Sequence, residues 1–199
     1  YTAFTQWLGF PHYGDEYKVM GLAPYGKALY TDKVRQVIRT RPDALFDLDE
    51  RYFRHVKEGV AMTWESGIPE IGPLFSDYFV EQFGPARDGS VPLEQAHRDM
   101  AASVQAVCEE VIFHLLTHLQ EKTGLDAVCI AGGVAQNSVA NGKILRRTPF
   151  KQIYIPPAGH DAGTATGAAL YVIHQELGQP RTGEQQSAYT GSTFSNAEI

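Results

Sequence analysis

The chain has 199 residues, 43% of them hydrophobic, with 17 basic and 23 acidic side chains and a net charge of −6. That is enough apolar material for one sizeable core, and no run approaches the roughly 20 apolar residues of a membrane span, so a cytoplasmic protein with no membrane partner is expected. The acidic balance disfavours a broad phosphate-backbone footprint, and nucleic acid is not an expected partner.

Tyr1 to Gly9 carries neither an initiator Met nor a charged segment before an apolar one, which excludes a signal peptide there and reads as a chain beginning mid-domain. From Phe10 to Gly26, Gly14, Gly21, Pro24 and Gly26 punctuate a polar and aromatic stretch, predicting a shaped loop around one turn of helix. Glu16 and Lys18 are the residues there suited to hydroxyls and phosphate oxygens; such a charged run is usually a solvated turn, and only its glycine-rich setting argues otherwise. A helix is predicted around Lys33 to Arg39, with Val34, Val37 and Ile38 inward, then strands near Leu45 to Leu48 and Tyr52 to Val56. Arg51, Arg54 and His55 read as surface residues. Ser66 to Arg87 places a short helix, Leu74 to Phe83, between Pro- and Gly-rich loops.

The longest helix is predicted from Leu93 to about Lys122, opened by Pro92 and ended by Gly124. Met100, Val104, Val107, Val111, Leu115 and Leu119 recur at steps of three and four and form its inward stripe. His114 and His118 share one face of this helix, as a metal site would want, but no carboxylate accompanies them at a matching spacing. They read as a partly exposed flank. Cys108 in this helix and Cys129 in the strand that follows read as reduced thiols in a core.

The stretch from Asp126 to Tyr171 organises the rest. Ala127 to Ala131 predicts a buried strand broken by Gly132-Gly133, and a helix follows from Asn137. Ile153 to Ile155 predicts a second strand, stopped by Pro156-Pro157, after which Gly159-His160-Asp161-Ala162-Gly163 opens a helix from Thr164 to about Glu176. Two strand–glycine turn–helix units of this kind bind ligands at their strand ends in open α/β sheets. Gly132 and Gly133 leave bare backbone for a planar base or sugar, and Asn137 offers a donor and an acceptor, while a tight structural turn accounts for the glycines as well. Asp161, between glycines at a helix start, either caps that helix or reaches a cation. Gly163, Gly167, Ala168 and Ala169 give the last helix a slim face for close packing or hinging. From Gly178 to Ile199 the composition is that of a linker.

Four runs carry a family resemblance: Glu16-Tyr17-Lys18-Val19-Met20-Gly21-Leu22-Ala23-Pro24-Tyr25-Gly26, His97 to Gln105, Ala131-Gly132-Gly133-Val134-Ala135-Gln136-Asn137 continuing to Asn141, and Asp161-Ala162-Gly163-Thr164 continuing to Ala169. In this order they resemble the carbamoyltransferase family of nodulation-factor and antibiotic-tailoring enzymes. The resemblance implies an α/β fold that is part of an actin-like, ribonuclease H-like ATPase architecture, whose relatives include the enzyme that transfers threonylcarbamoyl to tRNA. It implies that residues 1–177 are the second half of an actin-like carbamoyl-transfer domain and that 178–199 lead towards a C-terminal adenylate-forming domain. In that family, carbamoyl phosphate and ATP give carbamoyl adenylate, from which the carbamoyl group passes to an acceptor hydroxyl on a sugar-containing or antibiotic molecule.

By the same resemblance Gly132, Gly133 and Asn137 line an adenosine pocket with Gly163 beside them, and Glu16 and Lys18 help hold the nucleotide. Asp161 supplies one ligand to a divalent, iron-type metal, and Gly167-Ala168-Ala169 lie in an inter-lobe helix. The chain departs from the family in two respects. Nothing before His12 supplies the family's His-x-x-x-His metal pair, for which His114 and His118 are no substitute, and the adenylate-forming domain is missing, so the chain alone is not expected to complete the reaction. A small-molecule kinase of the same superfamily and a non-catalytic nucleotide-binding module remain the alternatives. The acceptor, the general base and the oligomeric state are not legible.

Overall fold

The computed structural model describes residues 1–43, 45–65, 67–183, 187–189 and 191–198. It is a mixed α/β chain with small sheets, divided into two compact units, Tyr1–Thr123 and Gly124–Ile199. Ser66, which opens one of the segments read from the sequence, lies outside the described residues, as do 184–186, 190 and 199 of the tail.

The first unit is built on aromatic packing. Helix α1 (Thr2–Trp7) turns Phe4 and Trp7 inward, and α2 (Glu16–Leu22) buries Val19. Helix α4 (Asp77–Phe83) is capped by Ser76, whose Oγ accepts from the Phe79 amide at 3.1 Å, and Gly84 at φ 87° ends it. Phe79 is fully buried, with the rings of Phe4, Phe75 and Phe83 centred 4.8, 5.7 and 4.6 Å away.

The predicted helix from Lys33 to Arg39 is shorter than expected. Helix α3 covers only Thr31–Val34, and Ile38–Thr40 instead forms β1, antiparallel to β2 (Phe46–Leu48). Val34 and Val37 are buried as predicted; the β-branched Ile38 is recruited by hairpin pairing, which overrides a weak helical pattern. The strand predicted over Tyr52 to Val56 is absent. Asp49 accepts from the Arg51 amide at 3.1 Å, which favours a 3-10 turn over Glu50–Tyr52, and Phe53 makes only an isolated bridge to Phe75. A small hairpin, β3 (Met62–Thr63) with β4 (Glu70–Ile71), was not anticipated.

Helix α5 (Gln95–Thr123) runs 29 residues. Met100, Val104, Val107 and Val111 are buried as the stripe requires, but Leu119 is 45% exposed and Phe113 and Leu116 are buried instead. By length and composition α5 is apolar enough to cross a membrane, which the sequence reading had not allowed; core helices share that property, and 56% of its apolar window is buried within the protein. It also buries polar groups. Asp99 accepts from the Lys27 amide at 2.7 Å and from Gln95 Nε2 at 2.9 Å, bonds that hold its carboxyl below the usual carboxylate range. The Ser103 hydroxyl accepts from the Tyr30 amide at 2.9 Å and donates to the Asp99 carbonyl at 2.7 Å. Gly26 fits this cradle because a Cβ there would lie 2.0 Å from the Arg98 carbonyl oxygen.

In the first turn of α5, His97 Nδ1 accepts from the Glu94 amide at 2.9 Å, a bond that only the unprotonated nitrogen can make. Burial, and then the charge of Arg87, push this imidazole below its ordinary range. A base whose folded pKa is depressed contributes stability above its unfolded pKa, about 6.5, and loses it as pH falls towards the folded value. The unmodified chain should therefore lose stability to denaturant on going from about pH 7 to about pH 5.5 faster than His97→Asn, whose amide oxygen accepts without titrating. Parallel losses in the two proteins would show that His97 is not the titrating group.

In the second unit β5 (Ala127–Cys129) and β6 (Gln152–Tyr154) pair in parallel, Val128 opposite Ile153. Val128 is the buried position of β5, so alternation puts Ala127 and Cys129 on the open face. Cys129 is thus exposed, not a core thiol; Cys108 is half-buried, and burial pushes its thiol up. The helix predicted from Asn137 is broken into a 3-10 turn (Gly133–Gln136), α6 (Ser138–Asn141) and α7 (Ile144–Arg147). Helix α8 (Gly163–Tyr171) passes into a π-helical turn, Val172–Glu176, and none of its residues is buried.

Candidate nucleotide site

Both strands of the β5–β6 pair end on the same side, and each runs into a glycine turn. Gly132 has φ 103° and ψ 172°, a backbone state that glycine alone adopts freely, and its amide donates to the Gly159 carbonyl at 2.6 Å. The two turns are thereby tied together. In the second turn a Cβ on Gly159 would lie 2.7 Å from Gln136 Nε2, and one on Gly163 would lie 2.1 Å from the Ala158 carbonyl oxygen. The Gly163 amide donates to the His160 carbonyl at 2.9 Å, so the turn closes directly onto α8.

Asp161 stands at this closure. Its carbonyl accepts from the Thr164 amide at 3.1 Å and from Thr164 Oγ1 at 2.6 Å. The residue at the N-cap is Ala162, and no side chain caps α8. The Asp161 carboxylate is exposed and makes no hydrogen bond or ion pair with another described residue, so capping, the plainer role open to it, is not the one it plays. His160 Nδ1 accepts from the Ala162 amide at 3.4 Å.

An open groove of about 950 Å³ runs from these turns along one face of α8. Gly132, Tyr154, Asp161, Gly163, Gly167 and His174 are among the residues that line it. The volume lies within the range of small-molecule clefts, about 300–1,000 Å³. Of the residues singled out in the sequence as nucleotide or metal ligands, the groove brings together Gly132, Asp161 and Gly163, with Gly167 of the slim helix face beside them; Gly133 and Asn137 stand outside its lining. Asn137 Oδ1 accepts from the Ala140 amide at 3.0 Å and so caps α6. Gly159 and Thr164 were missed. The threonine three residues after Asp161 was the available signal for the turn bond, since Ser and Thr hydroxyls commonly satisfy nearby backbone groups.

Glu16 and Lys18 belong to the first unit and are engaged there. Glu16 Oε1 accepts from Thr2 Oγ1 at 2.6 Å. Lys18 Nζ sits 2.7 Å from Oδ1 of the buried Asp15, which holds the ammonium above the usual lysine range, and 5.7 Å from the centre of the Phe10 ring. Among the described residues no group of three or more His, Cys, Asp or Glu side chains is placed to hold a metal ion.

Residues 1–170 match the family model described as the carbamoyltransferase N-terminus. The chain belongs to this carbamoyltransferase family. It is 42% identical, over its whole length, to an uncharacterised protein of Synechocystis, of which the match covers 31%. It is 37% identical over 92% of its length to nodulation protein NolO of Bradyrhizobium diazoefficiens, covering 30% of that protein. A more distant similarity, 31% identity over 52% of the chain and 27% of the relative, is to the tRNA N6-adenosine threonylcarbamoyltransferase of Thermomicrobium roseum. The chain spans less than a third of the length of these relatives.

Proposed function

We propose that the chain is part of an O-carbamoyltransferase and that the groove beside Gly132 and Asp161 receives the adenylate from which the carbamoyl group leaves. The observation that carries this reading is the joining of Gly132 and Asp161 in one groove, at the ends of two parallel strands, in a member of the carbamoyltransferase family. Ligands gather at such strand ends in α/β sheets. The similarity to a threonylcarbamoyltransferase supports an actin-like architecture for the whole protein. The substrates in this reading are carbamoyl phosphate, ATP and an acceptor hydroxyl on a sugar-containing or antibiotic molecule.

Carbamoyl adenylate is a mixed anhydride. The acceptor oxygen bonds to the carbamoyl carbon, the bond from that carbon to the phosphate oxygen breaks, AMP leaves and the hydroxyl proton passes to a base. Catalysis then needs the two reactants held together and negative charge on the carbonyl oxygen stabilised. The bare backbone at Gly132 lets the nucleotide approach closely, and the bond from Gly132 to Gly159 fixes that turn before anything binds. Asp161, with a carboxylate that no described neighbour occupies, is suited to ligating a divalent cation that would polarise the carbonyl. One carboxylate is not a coordination sphere, and the described residues do not complete one, so they contribute a single ligand.

The test uses the full-length protein with ATP, carbamoyl phosphate and a panel of sugar and aminoglycoside alcohols, following AMP release and acceptor mass. A carbamoylated acceptor with AMP is the expected result. ADP with a phosphorylated acceptor would move the protein to the kinases, and nucleotide binding without turnover across the panel would favour a binding module. Asp161→Ala should lower transfer by about 100-fold or more while adenylate formation continues. Transfer at the unmodified rate would remove Asp161 from the site.

A further inference from the structure

The histidine pair of α5 is not absorbed by the carbamoyl-transfer reading. We propose that His114 and His118 form a separate two-histidine site for a late first-row divalent cation such as Zn(II) or Ni(II). Spaced four residues apart on a 29-residue helix, their rings are centred 4.4 Å from each other with planes inclined at 56°.

Each ring is held by a backbone carbonyl. His114 Nε2 lies 2.8 Å from the Arg41 carbonyl oxygen, and His118 Nδ1 lies 3.1 Å from that of His114. A carbonyl oxygen only accepts, so each of these nitrogens carries the hydrogen. In the neutral rings the lone pairs are then on His114 Nδ1 and His118 Nε2. Fixing one nitrogen on a carbonyl so that the other can ligate is the arrangement found behind metal-bound imidazoles.

The surroundings permit a cation. Both rings are half-exposed, which leaves water to fill the remaining coordination positions. The guanidinium of Arg41 is engaged by Asp43 at 2.6 Å and Asp47 at 3.2 Å, which balances its charge. With two imidazoles and no third protein ligand among the described residues, selectivity follows intrinsic preference, with Ni(II) and Zn(II) ahead of Mn(II). Because the Arg41 carbonyl precedes β2 and holds His114, a bound cation also braces the β1–β2 hairpin against α5.

Calorimetric titration of the chain, in a Cys129→Ser background that removes the exposed thiol, tests the proposal without any activity assay. One Zn(II) or Ni(II) should bind per chain and raise the melting temperature, with Mn(II) weaker. His118→Gln and the double variant His114→Gln, His118→Gln should each weaken binding at least about tenfold and abolish the thermal shift. Far-UV circular dichroism establishes that the variants are folded. The single variant, whose lost bond lies within its own helix, carries the test if the double variant does not fold. No binding by the unmodified pair, or equal affinity in a folded variant, overturns the proposal.

Discussion

Replacing Phe79 with alanine is expected to cost the first unit about 3–5 kcal/mol of stability. The side chain is fully buried at the centre of the aromatic cluster, with Phe4, Tyr52, Phe75 and Phe83 all packed against its ring. Truncation removes the transfer free energy of a benzyl group and leaves a cavity. The walls of that cavity are rigid rings on three separate segments, so collapse around the void is restricted. Edge-to-face contacts such as that with Phe4, inclined at 64°, are lost as well. Denaturant unfolding of the unmodified and Phe79→Ala chains, monitored at the first unit's Trp7, measures the difference. Phe79→Leu should recover a large part of it. A loss below about 1 kcal/mol would mean that the cluster is not the stabilising centre of this unit.

The second large effect is expected at Gly163, and it bears on the site. A methyl group there would lie 2.1 Å from the Ala158 carbonyl oxygen, which is backbone and cannot swing aside. The turn from Ala158 to Gly163 has to open, breaking the Gly163 to His160 bond and displacing Asp161 between them. Gly163→Ala should therefore weaken adenine-nucleotide binding at least about tenfold in the full-length protein, because a site held by a tight turn depends on that turn's geometry. Gly21→Ala, in α2 and outside the groove, is the control, since a Cβ there meets nothing within 4 Å, and alanine favours a helix by about 1 kcal/mol over glycine. Unchanged nucleotide affinity in Gly163→Ala would place the nucleotide elsewhere.

Where local pattern and tertiary context agreed, the sequence was sufficient. The short apolar runs at Ala127 and Ile153 pair as parallel strands, and the spacing of Met100, Val104, Val107 and Val111 describes the buried face of α5. It failed where the deciding contact is distant or is made by a side chain with its own backbone. Nothing near Ile38 announces that its partner is Leu48 across a hairpin. The 3-10 turn before Phe53 is set by the Asp49 carboxylate, which periodicity does not register. Cys129 was judged by the apolar character of its neighbours, yet strand alternation puts it on the face opposite Val128. At the site, the glycines were legible as a class, because each removes a Cβ beside a turn. Which of them face the groove was not, since that depends on where the turn after β6 folds back to meet Gly132.

The bond between Gly132 and Gly159 has a mechanical consequence. The β5–β6 ladder is only three residue pairs long, and a two-stranded sheet is marginal by itself. A clasp across its far end gives the strands a common closure, so the loop after β5 cannot fray without releasing the loop after β6. The two loops then share one opening equilibrium, and whatever seals one of them slows hydrogen exchange in both.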